Sequence, residues 1–62
     1  MNSYINAQII NMIAMTKTFE QSCKMAAMRD DGKISKEETK QLKKISNATQ
    51  KFLKELESLR AN

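Results

Sequence analysis

Three groups of residues in this chain have side chains suited to chemistry. Four carboxylates, Asp30, Asp31, Glu37 and Glu38, crowd around Gly32, and such a cluster could hold a hard divalent cation. Six lysines, Lys36, Lys40, Lys43, Lys44, Lys51 and Lys54, recur through the second half and could meet phosphates. Cys23 is the single cysteine, so no disulfide can form within the chain. With no His present, a zinc site would lack its usual ligands and a general acid–base pair its commonest member. Cys23 falls on an apolar stripe, and Lys24 beside it projects ~100° away around a helix, so the thiol has no evident activating cation. The expectation is a non-enzymatic protein with no catalytic residues, no metal and no cofactor.

The acidic cluster has a more specific reading. Asp31-Gly32-Lys33-Ile34-Ser35, followed by Glu38, resembles the latter half of an EF-hand calcium loop. The resemblance spans about eight residues and puts Gly32 at the sharp turn and Glu38 at the bidentate position. Its first and third ligand positions fall on Ala27 and Arg29, which offer no ligating oxygen. As a calcium site the stretch is therefore degenerate. The same residues also make a turn followed by a capping box, in which Ser35 caps a helix and Glu38 reaches back to its N–H.

The elements that must position these groups follow from where breakers are missing. There is no Pro, and Gly32 is the only Gly, close to the midpoint of 62 residues. That pattern predicts an all-α fold, a two-helix antiparallel hairpin over residues 1–62. Helix 1 is expected at about 4–29, capped by Asn2 or Ser3, with a turn at about 30–34 and helix 2 at about 35–60. Alternating steps of four and three along helix 1 select Ile5, Ile9, Met12, Thr16, Phe19, Cys23 and Ala26. The corresponding steps along helix 2 select Leu42, Ile45, Thr49, Phe52, Leu56 and Leu59. Folding about Gly32 then pairs Ile9 with Leu56, Thr16 with Thr49, and Cys23 with Leu42. It also sets Ile5 against Leu59, Phe19 against Ile45, and Met12 against Phe52 or Leu53. The one polar exception in each seam falls in the same layer, where each threonine can bond to its own helix backbone.

A single hairpin hides one stripe per helix, and helix 1 has more than one. The first sixteen residues of the chain carry no charged side chain, and Tyr4, Ile10, Ile13, Ala14 and Met15 lie off the seam. A contiguous apolar patch of this kind marks an interface. The expectation is a homo-oligomer, with a dimer forming a four-helix bundle favoured, or docking on one protein partner. The interface would use Ile5, Ile9, Ile10, Met12, Ile13, Met15 and Phe19. Function is accordingly expected as a protein–protein interaction module, such as a regulator, adaptor, inhibitor or assembly factor.

The alternative uses the basic arm. The chain carries a net +4 charge, and residues 39–62 hold six cations against two anions. The lysine series named above could contact a nucleic-acid backbone. Small dimeric hairpins that grip structured RNA, such as the plasmid copy-number modulators, are similar in layout alone. The series contains no Arg and no interleaved aromatics, so binding would be salt-sensitive and blind to sequence. Lysine also keeps an outer helical face soluble. The longest unbroken apolar run is Met12-Ile13-Ala14-Met15, far short of the ~20 residues that span a bilayer. The stretch MNSYINAQ lacks the basic residues of a signal peptide's n-region, and a cytoplasmic location is the expectation.

Overall fold

The computed structural model describes residues 2–29 and 32–61. Asp30 and Asp31, part of the expected turn, lie outside the described residues. Two helices pack against each other, α1 (Ser3–Arg29) and α2 (Lys36–Leu59).

Each helix starts where a side chain can satisfy orphan backbone donors. The Asn2 side-chain oxygen accepts from the N–H of Tyr4 at 2.8 Å and of Ile5 at 3.3 Å. Ser35 caps α2 from an extended backbone conformation. Its hydroxyl accepts from the Glu38 N–H at 3.1 Å, and the Ser35 N–H donates to the Glu38 carboxylate at 2.9 Å. This reciprocal pair is a complete capping box, with Glu37 and Glu38 also placed at the positive end of the helix. Gly32 has φ +74°, and its N–H donates to the Met28 carbonyl at 2.9 Å. A side chain there would meet no neighbour, so glycine is required by backbone conformation and not by space.

The open ends of the hairpin are tied by one side chain. The Asn6 carboxamide donates to the Ala61 carbonyl at 3.2 Å and accepts from the Ala61 N–H at 2.8 Å. It thus satisfies backbone groups just past the end of α2 and holds the two chain ends together across 55 residues of sequence.

The core is small. Ile13, Leu53 and Leu56 are buried, with Ile9 packed against them. Thr16 and Thr49, each 7% exposed, are buried at mid-seam. The Thr16 hydroxyl donates to the Met12 carbonyl at 2.7 Å, its own preceding turn. Thr49 lies 3.0 Å from the Ser46 carbonyl and donates across the seam to Glu20 Oε1 at 2.7 Å.

The phase of the seam differs from the pattern read along the sequence. Ile9, Thr16 and Cys23 face α2, and Leu42, Ile45, Thr49 and Leu56 face α1. The intervening positions are shifted by one residue. Asn6, Ile13, Glu20 and Ala27 turn inward in place of Ile5, Met12, Phe19 and Ala26. Leu53 is buried in place of Phe52, and Leu59 is exposed. The reason lies in partners for polar groups. Asn6 and Glu20 each find hydrogen bonds on the other side of the seam, so turning them inward leaves no buried side-chain polar atom unsatisfied among the described residues.

Candidate functional site

The shifted seam leaves one broad side of the hairpin apolar. Met15 precedes buried Thr16, and Ala48 precedes buried Thr49. Each therefore stands ~100° around its helix from the seam. Because the helices run antiparallel, both project from the same broad side. They line an open groove of about 400 Å³ with Met12, Phe19 and Phe52, floored by the two threonines. Phe19 is 55% exposed and Met15 62% exposed. Ile5 and Leu59, also exposed, extend the apolar surface toward the chain ends. Toward the turn a separate, more mixed groove is lined by Cys23, Ala26 and Ile45 together with Glu38 and Gln41.

The seven residues expected at an interface therefore fall into three places. Ile9 and Ile13 belong to the hairpin's own core. Ile5, Met12, Met15 and Phe19 are exposed along the apolar side. Ile10 is exposed as well, but two residues from Met12 is ~200° around the helix, so it sits on the other side. Phe52 and Ala48 of α2 join the apolar side. Ala48 has too small a side chain to stand out in a hydrophobic count, although its spacing of four from Phe52 would place the two together.

The opposite side is mixed, with Lys17, Gln21 and Lys24 beside Glu20 and with Met25 and Met28 exposed near them. The half-buried Glu20 carboxylate is held below its ordinary pKa by the Thr49 hydroxyl first, then by Ser46, with smaller contributions from Gln50 and the Lys24 charge. Partial burial opposes the shift without cancelling it. The outer face of α2 carries Lys36, Lys40, Lys43, Lys44, Lys51 and Lys54, all exposed. Among the described residues none of these six is ion-paired, whereas Arg60 and Glu57 pair at 3.8 Å.

The remaining chemistry-bearing residues are dispersed. Cys23 is a half-buried free thiol facing α2. Ala27 and Arg29, where a calcium loop would begin, are the last turn of α1. Glu38 is engaged in the capping box. Among the described residues no three His, Cys, Asp or Glu side chains converge, and no helix is long and apolar enough to cross a membrane. The chain has no significant match among protein-family models, curated proteins or solved structures.

Proposed function

We propose that the protein is a non-enzymatic interaction module that binds other protein through the apolar side of the hairpin, and that it self-associates there into a four-helix bundle. One observation carries this reading. Helix α1 has two stripes that could face α2, and the more apolar of them is left exposed. Met12, Met15 and Phe19 then combine with Phe52 and Ala48 in a single groove. An apolar surface that a hairpin cannot cover from its own chain is covered by a second protein surface. Flexible Met side chains suit such a contact because they adapt to the shape they meet. Sedimentation across a range of concentrations tests the proposal. The wild-type chain should sediment as an oligomer, and Phe19→Glu or Phe52→Glu should shift it to monomer. A wild-type monomer indistinguishable from both variants would sink the self-association reading.

The unpaired lysines on the outer face of α2 favour a second reading, a hairpin that contacts the nucleic-acid backbone. Replacing Lys40, Lys44 and Lys51 with Gln should then abolish retention of duplex RNA at low salt. Equal retention by wild type and the triple variant would remove this reading.

A further inference from the structure

We infer that the occupant of the apolar groove is a second copy of this chain, stacked about a two-fold axis parallel to the helices, so that α1 of each copy lies on α2 of the other. The inference rests on the self-association reading and specifies its geometry. The broad side spans 46 by 17 Å between Cα extremes, an outline large enough to seat the ~800 Å² of accessible surface that each partner buries in a standard stable interface.

Two face-to-face arrangements would keep every neighbouring helix antiparallel. In one, the axis runs along the helices and α1 covers the partner's α2. In the other, the axis runs across them and α1 covers a second α1. Side-chain size favours the first. Met15 and Ala48 both point straight out of the broad side, one long and one short. Stacking α1 on α2 sets the long side chain over the short one, twice, by symmetry. Stacking α1 on α1 sets Met12, Met15 and Phe19 against the same three residues of the other copy. It would hold the α1 pair apart while Ala48 left space between the α2 pair.

Charge favours the same choice. A two-fold axis along the helices allows no sliding, so each residue of α1 meets the partner at the height of its own cross-hairpin neighbour. At ~100° per residue, Arg29 stands ~40° further from the seam than Met15, at the outer edge of the broad side of α1. Glu37, about three turns before Ala48, stands ~20° further from the seam than Ala48, at the matching outer edge of α2. In the hairpin both are exposed and they form no ion pair with each other. In the stacked dimer each Arg29 meets a Glu37 from the other copy. The two basic α2 helices, each rich in unpaired lysine, then occupy diagonal corners of the bundle. The crossed arrangement would offer a Lys44–Glu55 contact, but it would lay the two lysine-rich helices side by side.

Disulfide trapping separates the arrangements. In a Cys23→Ser background, Met15→Cys and Ala48→Cys chains are prepared separately, mixed, and oxidised with glutathione disulfide as the two-electron acceptor. The inference expects a covalent dimer from the mixture as the major product, seen on a non-reducing gel, and none from Met15→Cys alone. Arg29→Glu should weaken association several-fold, and adding Glu37→Arg should restore it. A covalent dimer from Met15→Cys alone, with sedimentation still showing a dimer, overturns the arrangement and leaves self-association standing. A monomer in sedimentation for the Cys23→Ser and wild-type chains alike overturns both.

Discussion

Helix α1 carries two heptad series on either side of Ile9, Thr16 and Cys23, and the hairpin treats them differently. The inner series is Asn6, Ile13, Glu20 and Ala27; the outer is Ile5, Met12, Phe19 and Ala26. Hydrophobicity alone would bury the outer series. The hairpin buries the inner one, where Asn6 binds Ala61 and Glu20 binds Thr49. The difference teaches that a seam between two helices is chosen by pairwise satisfaction as well as by apolar area. Asn6 and Glu20 have named partners across the seam, whereas Phe19 and Met12 need only an apolar surface, which another molecule can supply. On the proposed reading, the inner series serves stability of the single chain and the outer series serves association.

That division can be broken by experiment, and the largest effect belongs to the inner seam. Leu56→Ala should cost ~2–4 kcal/mol by loss of buried methyl groups, enough to unfold much of so small a domain at every protein concentration. Urea unfolding followed by circular dichroism reads it. An effect under ~0.5 kcal/mol would mean that Leu56 is not core.

Phe19→Ala tests the outer series. If Phe19 serves association, the wild-type melting temperature rises with protein concentration, and the variant loses most of that dependence. Retention of the full concentration dependence would assign Phe19 to the hairpin's own stability.

A third change touches neither series. Ser35→Ala removes the hydroxyl half of the capping box and should cost ~1 kcal/mol. The cost should be equal at low and high protein concentration, which makes it the control for the previous pair.

The smallest effect concerns Glu20. Its folded pKa lies below the ordinary 4.5, so the stability it contributes is fully present above that value. It is lost as pH falls through the folded value, because the unfolded chain takes up its proton first. Thermal melts between neutral and acidic pH should therefore show a shallow acid-side decline, and Glu20→Gln should flatten part of it. An unchanged decline in the variant would place the acid sensitivity elsewhere.

Much of this fold is legible along the chain. One glycine at the midpoint, with φ +74°, marks the reversal. Ser35 and Glu38, three apart, announce the start of α2, and their two hydrogen bonds are both formed. The threonines at 16 and 49, equidistant from the turn within a residue, share a buried layer. The tie between Asn6 and Ala61 was not legible, because an asparagine in an uncharged helix carries no local sign of a partner 55 residues away. Ile13 read as surplus surface and is 6% exposed; Phe19 read as seam and is open.

The sequence by itself determined two helices, the place of the turn, the start of α2 and the layers through residues 9, 16 and 23. These are local or periodic properties, set by capping chemistry, glycine conformation and heptad spacing. Only the tertiary structure decided which flank of that repeat turns inward. Both flanks lie within ~50° of the same seam, so periodicity cannot separate them. The choice depends on donors and acceptors meeting across the two helices, which exists only once the chain has folded back on itself.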